Sequence, residues 1–226
     1  MRVIAIDGAC RRNGKPDCTS SGGVFVQVLN GWREYVTSEV LSTHEYASTN
    51  QRGELLALLL ALDNACMAKD ADTFIITDSE YIFNAMTKAW FVRWYNNNWK
   101  TAAGESVKNS DIWLEIFMAM RRCEEADVLL HFYHIKGHCI PFGRVTADNL
   151  LARDPSGKLL LDEVHKKFST CKSTKQDVFA AAQELSERKN GFKLPDEIFE
   201  SFVVANVVAD AIATKTVEAA DSSRKR

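Results

Sequence analysis

Three acidic residues stand where a carboxylate does more than solvate a surface. Asp7 ends a short apolar run, residues 3–6, and is followed at once by Gly8. Asp78 ends a second such run, Phe74-Ile75-Ile76-Thr77. Glu54 falls near the first turn of a predicted helix, ahead of an unbroken apolar block, residues 55–62. A carboxylate against apolar surface is costly unless something positive meets it. Clustered carboxylates repel and shift one another's pKa unless cations neutralise them. Oxygen-only ligands favour Mg2+ or Mn2+ over zinc. Two such ions about 3.5–4 Å apart are the usual device for in-line displacement at a phosphodiester. A lone Asp-Gly pair would be an ordinary turn; the recurrence of acids in this context carries the inference.

The elements that must position these acids follow from periodicity. Residues 3–6 read as a buried strand, and residues 11–23 as a polar loop. Residues 23–29 alternate as a strand, Asn30-Gly31 is a strong hairpin signal, and residues 32–41 are the return strand. Thr49 or Asn50 caps a helix built on the leucine-rich block. Residues 74–77 form a further buried strand, and Ser79 caps a helix over about 80–88. Asn109 or Ser110 opens another helix to about Glu125, and residues 128–135 are the last strand. Long crossovers suit parallel pairing, which makes the first and fourth strands neighbours. Their terminal carboxylates then meet, with Glu54 beside them. Asp154-Pro155-Ser156-Gly157 is a turn. Helices are predicted over about 158–168 and 175–189, the second capped by Ser173-Thr174 and ended by Asn190-Gly191. Pro195 opens a helix to about Ala220, with Asp196 and Glu197 in its first turn. The polar tail, residues 221–226, is expected to fray.

Bulk properties narrow the classes. The chain has 226 residues, 46% hydrophobic and 26% charged, with a net charge of −2. The whole molecule is therefore no electrostatic magnet for nucleic acid, and phosphate contacts must come from local clusters. No apolar run approaches the roughly 20 residues needed to cross a bilayer, and Asp7 with Arg11-Arg12 interrupts any secretory signal pattern. The six cysteines form no Cys-x-x-Cys pair and no zinc spacing. The expectation is a reduced, cytoplasmic protein with free thiols, monomeric and away from membranes.

The pieces resemble type 1 ribonuclease H. They are Ile6-Asp7-Gly8-Ala9-Cys10 with Asn13, Thr49-Asn50-Gln51-Arg52-Gly53-Glu54-Leu55, and Thr77-Asp78-Ser79-Glu80-Tyr81. Trp99-Lys100-Thr101, Val107 through Trp113, Lys136-Gly137-His138 and Asn206-Val207-Val208-Ala209-Asp210 follow in the family's order. Each is weak alone; together they are specific. The resemblance implies an α/β ribonuclease H-like fold, a five-stranded mixed sheet flanked by helices, in one domain spanning residues 1–226. It implies hydrolysis of the RNA strand of RNA–DNA hybrids to 5′-phosphate and 3′-hydroxyl ends. Asp7, Glu54, Asp78 and Asp210 resemble the four metal-binding carboxylates, for two Mg2+ or Mn2+ ions. His138 is similar to the family's mobile histidine. Cys10, Asn13, Asn50 and Gln51 resemble residues that hold the substrate backbone, where amides read 2′-hydroxyls; for Asn13, Asn50 and Gln51 the plainer role is that of turn and cap residues. Trp94, Trp99 and Lys100 lie in a segment similar to the family's substrate-binding protrusion, or else in a helix packing its tryptophans on the core.

The fourth carboxylate has two candidates. Asp148 follows His138 at the family's usual spacing, whereas Asp210 has the better local match, Asn206-x-x-Ala209-Asp210. Asp210 is preferred because Asp154-Pro155 stops the helix of Asp148 early. Residues 140–200 are then a helical insertion, and a break near Asn206 would bring Asp210 to a helix start. The basic stretch His165-Lys166-Lys167, with Lys172 and Lys175, reads as a solvated face or an extra substrate contact. Other nucleases share this superfold. A non-catalytic hybrid-binding module is the alternative from a different class.

Overall fold

The structure, a computed structural model, describes residues 1–13, 15, 18–28, 33–40, 48–68, 72–137 and 147–223. The Asn30-Gly31 turn, His138 and residues 224–226 lie outside these. Strands β1 (Arg2–Arg11), β2 (Thr19–Val28) and β3 (Arg33–Val40) come first. Helix α1 (Asn50–Ala68), β4 (Asp72–Thr77), α2 (Glu80–Thr87), α3 (Trp90–Asn96), α4 (Ser110–Glu125) and β5 (Leu129–His134) follow. The chain closes with α5 (Ala147–Leu150), α6 (Leu161–Thr174), α7 (Gln176–Asn190) and α8 (Asp196–Ser223). The sheet has five strands in the order β3-β2-β1-β4-β5. β1 pairs antiparallel with β2, and β2 with β3, whereas β4 runs parallel to both β1 and β5.

Successive strand residues face opposite sides, and the two faces are covered differently. Ile4, Ile6, Val24, Val26 and Ile75 pack under α1 and α4, against Leu55, Leu58, Leu62, Trp113 and Ile116. Val3, Ala5, Phe25, Ile76 and Tyr133 face the other way, onto α8 through Phe199, Phe202, Val208 and Ile212. Phe168 of α6 and Phe179 of α7 join that second core. Among the described residues, no helix is long and apolar enough to cross a membrane.

Close backbone approach decides how the two principal helices sit. A Cβ on Gly8 would lie 2.8 Å from Glu54 Cα, so β1 and the start of α1 touch directly. A Cβ on Gly23 would lie 2.5 Å from the Ala213 nitrogen, so α8 crosses β2 at that point. Arg52, 1% exposed, ties α1 to α4 through two hydrogen bonds to Asp111 at 2.6 and 2.9 Å. Breaking one partner of such a pair leaves a buried charge uncompensated.

Several expectations are corrected. β2 begins at Thr19, inside the predicted polar loop, because Ser20, Ser21 and Gly22 pair with Cys10, Ala9 and Gly8. Ser21 also donates to the Ala213 carbonyl at 2.7 Å, so its buried hydroxyl is satisfied. Ser173 and Thr174 do not cap α7; they end α6, where their hydroxyls bond back to carbonyls of Thr170 and Cys171. Asp221 is not frayed: it is buried and accepts from Arg12 at 2.5 Å. Cys10 and Cys18 are not free thiols but a disulfide. Their positions on the ends of β1 and at the entry to β2 bring them together, a tertiary fact that spacing alone does not carry. Cys66, Cys123 and Cys171 are free.

Candidate active site

The parallel pairing of β1 with β4 places two of the acids. Ala5 lies opposite Ile76, and two residues further along each strand stand Asp7 and Asp78. By the period of two, Asp7 shares the face of Val3 and Ala5, which is the face that α8 covers. Gly23 is the antiparallel neighbour of Asp7. Ala209 and Ala213 rest on Gly23, so Asp210, next to Ala209, is delivered to the same place. Glu54 arrives from the other side, just past the first turn of α1 and above Gly8. The strand expected to end at Asp7 runs on to Arg11, still paired with β2. Asp7 instead lies just past the last parallel pair with β4, beside the carboxyl end of β4, and the carboxyl ends of strands are where ligands are usually met in α/β sheets.

The acids also act on one another electrostatically. Asp7 is pushed well above the usual carboxylate range, chiefly by burial, then by Asp78, Asp210 and Glu54. Its hydrogen bond from the Gly8 amide, 2.7 Å, opposes that rise. Glu54 is also raised, first by burial and then by Asp78, against the hydroxyl of Ser79 and the amide of Asn50. Ser79 donates to Glu54 Oε2 at 2.5 Å and Asn50 to Oε1 at 3.0 Å. Among the described residues, no three acidic, His or Cys side chains stand close enough together to hold one metal ion, as expected of like charges that nothing neutralises.

Asp148 is elsewhere. It is 73% exposed and ion-paired to Lys215, and it is not among the charges that act on Asp7. The break expected near Asn206 is absent: α8 is continuous from Asp196 to Ser223. Asp210 lies about four turns in, and it reaches the site because the helix runs across the sheet.

The segment after β5 closes the site from a third side. A Cβ on Gly137 would collide with the Asp78 carboxylate, so the chain passes directly over it. His138 follows, outside the described residues. His134, buried at the end of β5, packs edge-on against Phe83 with centroids 5.6 Å apart. Its ring hydrogen-bonds to the backbone of Asp78, while burial, with Lys189, holds it below the usual histidine pKa.

The RNase H family model matches residues 2–155, about two thirds of the chain. The chain belongs to the ribonuclease H family. It is 36% identical over 139 residues to a ribonuclease H of Chlorobium phaeobacteroides (strain BS1), covering 60% of this chain and 82% of that protein. A ribonuclease H of Wigglesworthia glossinidia brevipalpis is 33% identical over 169 residues, covering 73% and 94%. The solution structure of the PFV RNase H domain superposes with a TM-score of 0.50 at 20% identity, covering 64% of this chain and 84% of that one. That likeness is one of fold, and the five-stranded mixed sheet flanked by helices is as expected. The family match stops at 155, so it includes Asp148 and ends before α6; geometry, not alignment, brings in Asp210.

The remaining predicted residues of this ribonuclease H fall into two groups. Asn13 and Asn50 lie beside Glu54: Asn13 Oδ1 accepts from the Asn50 amide at 3.4 Å. Cys10 is near them but tied to Cys18, and Gln51 is exposed on the same helical turn. Trp94, Trp99 and Lys100 are at α3 and the turn after it. Trp94 is half-buried and meets Trp113 edge-on at 5.4 Å. With Trp90, Arg93, Asn97 and Lys100 it also lines a groove of about 340 Å³. The aromatic segment is therefore both core and surface. Residues that the sequence did not single out for the site are Ser79 beyond its cap role, Gly137 as a contact, and Ser186 and Asn190 of α7. For Ser79 the signal was its place directly after Asp78; for α7 there was none.

Proposed function

We propose that this chain is a metal-dependent endonuclease that hydrolyses the RNA strand of RNA–DNA hybrids, leaving 5′-phosphate and 3′-hydroxyl ends. The observation that carries the reading is that Asp7, Glu54, Asp78 and Asp210 act on one another beside the carboxyl end of β4, with Asp7 made a poor anion by burial and its acidic neighbours. The donor set fits hard divalent cations: all oxygens, four potential negative charges, no sulfur or imidazole among the described groups. Two Mg2+ or Mn2+ ions bound there would supply charge neutralisation, activation of the attacking water and stabilisation of the leaving 3′-oxygen.

The chain's own residues do the rest. Ser79 and Asn50 orient the Glu54 carboxylate by donating to its two oxygens. Asn13, Asn50 and Gln51 present amides able to hydrogen-bond a ribose 2′-hydroxyl, the group that separates RNA from DNA. The groove at Trp94 and Lys100, with Arg93, offers aromatic faces and cations to the backbone of the hybrid. His138, one residue beyond the Gly137 contact with Asp78, assists proton transfer or product release. Residues 140–200 are an insertion within one domain, since α6 and α7 share a core with α8 and the sheet. The protein acts as a monomer.

The test is a labelled RNA strand annealed to DNA, incubated with Mg2+ and with wild type, Asp210→Asn and Asp148→Asn. Wild type and Asp148→Asn are expected to cut, and Asp210→Asn to be inactive. Loss of cutting in Asp148→Asn alone would move the fourth carboxylate and end the core near residue 155. A wild type that binds hybrid and never cuts would leave a binding module.

A further inference from the structure

β5 is the edge of the sheet, next to β4 alone. An edge strand exposes alternate backbone groups and normally needs a neighbour or a cover. In a parallel ladder, alternate residues bond to opposite sides. Ile135 donates inward, to the Thr77 carbonyl at 3.0 Å. His134 and Lys136 therefore bond outward, where α7 lies. Asn190 meets His134 with both halves of its amide: Oδ1 accepts from His134 N–H at 2.8 Å, and Nδ2 donates to the His134 carbonyl at 2.8 Å. One turn earlier, Ser186 Oγ accepts from the Lys136 N–H at 3.3 Å. Four residues of helix advance about 6 Å and two of strand about 6.6 Å. The spacing of 186 and 190 thus matches that of 136 and 134, with helix and strand antiparallel. Gly191, left-handed at φ +79°, ends α7 there, and Phe192 turns back to meet the Tyr133 ring at 5.6 Å.

What this ladder holds is the part of the chain that touches Asp78. The His134 ring bonds to the Asp78 backbone, and Gly137 passes over its carboxylate. Lys189, between the two ladder residues, pairs with Glu80 at 3.0 Å, fastening α7 to the first turn of α2 just beyond Asp78. All of these α7 residues lie outside the stretch matched by the family model.

We infer that α7 serves as a substitute sixth strand, and that Ser186 and Asn190 are positioning residues for the cleavage reaction. They act through His134 and Lys136 to hold the segment 134–137, and with it Asp78, in register for the cut. This rests on the ribonuclease reading above and goes beyond it by giving the inserted helix a part in the reaction.

The experiment uses the full-length protein with Asn190→Ala, Ser186→Ala and, as a stability control, Phe179→Leu. Phe179 packs on Phe168 and Phe199, away from the ladder. Backbone amide exchange at His134 and Lys136 is measured with kcat and KM on an RNA–DNA hybrid. Expected are faster exchange at both amides and a fall in kcat on the order of ten- to a hundred-fold with KM little changed, as for a displaced catalytic group. Phe179→Leu should lower the melting temperature and spare kcat. Unchanged exchange in Asn190→Ala, or faster exchange with wild-type kcat, would overturn the inference and leave α7 a mere edge cover. An equal fall of kcat in Phe179→Leu would overturn it too, in favour of general stability. In each of these failures the wild type cuts; a wild type that does not cut overturns the ribonuclease reading instead.

Discussion

The hydroxyl of Ser79 joins two helices at the site: it donates to Glu54 of α1 at 2.5 Å and accepts from the Ile82 amide of α2 at 3.5 Å. One atom therefore caps a helix and orients a half-buried carboxylate. Ser79→Ala removes both. Loss of the cap is worth about 1 kcal/mol of stability, readable as a lower urea midpoint. Loss of the donor removes the first influence opposing burial at Glu54. The Glu54 carboxyl then titrates at higher pH than in wild type, which metal-free NMR titration would record. The acidic limb of the cleavage profile should move up with it.

Asp7 and Glu54 both titrate above their unfolded values. A raised carboxyl binds its proton more tightly in the folded state, so its contribution is fully present below the unfolded pKa. It is lost as pH rises through the folded pKa. Without divalent cations the protein should accordingly be more stable in mild acid than at neutral pH. Asp7→Asn should raise the neutral-pH melting temperature of the metal-free protein, by roughly 2–4 °C for each kcal/mol recovered. The same variant should lose most of the stabilisation that added Mg2+ gives wild type. Calorimetry at two pH values, with and without Mg2+, checks both; a metal-free Asp7→Asn less stable than wild type at neutral pH would contradict the argument.

The place of Asp210 depends on the contact between Gly23 and Ala213. A methyl group at Gly23 would stand 2.5 Å from the Ala213 nitrogen, a backbone atom that cannot rotate away. Gly23→Ala must lift α8 from β2 and draw Asp210 away from Asp7. Overpacking of this kind costs about 1–3 kcal/mol. Cleavage should fall by far more than the folded fraction if the displaced residue is, as proposed, one of the four metal-binding acids. Circular dichroism and hybrid cleavage on one preparation separate the two effects.

How much of this was legible in the sequence depended on how local the cause was. Asp78 was legible because it directly follows the buried strand that ends at Thr77, and Asp7 because it follows an apolar run, although β1 continues past it to Arg11. Glu54 was legible because Thr49 caps the helix that carries it, its hydroxyl accepting from the Arg52 amide at 3.2 Å. Asp210 was legible only as a short local match. The expected break at Asn206 rested on the premise that an active-site acid sits at a helix start. No such break is found; small residues, Ala209 and Ala213 on Gly23, let the middle of a continuous α8 lie against the sheet instead. The Cys10–Cys18 pairing and the Asn190 ladder are wholly tertiary. Neither leaves a period or a motif, since each joins residues brought together only when β1, β2, β5 and α7 have taken their places.

The disulfide closes the end of β1 onto the start of β2, and the residues between include Arg12 and Asn13. A cross-link over eight residues of separation restricts the unfolded chain by roughly 2–3 kcal/mol on the loop-entropy account. Reductant, or Cys18→Ser, should lower the denaturation midpoint accordingly. It should also free Asn13 from its place beside Asn50, raising KM for hybrid more than it lowers kcat. Urea unfolding with and without dithiothreitol tests the first, and steady-state kinetics the second. Equal midpoints in the two conditions would mean that the thiols are unpaired in solution.

At the groove beside α3, Trp94 and Lys100 should separate packing from binding. Trp94 is half-buried against Trp113, and Trp94→Ala should cost about 3 kcal/mol or more of stability, since it opens a cavity in the core. Lys100 is exposed and lines the same groove. Lys100→Ala should leave stability unchanged, raise KM for the hybrid, and reduce the slope of log affinity against log salt by about one phosphate contact. The salt titration is the decisive measurement, because a purely structural lysine would not alter the slope. If the slope is the same in Lys100→Ala and wild type, the hybrid backbone does not cross this groove, and the aromatic segment is core alone.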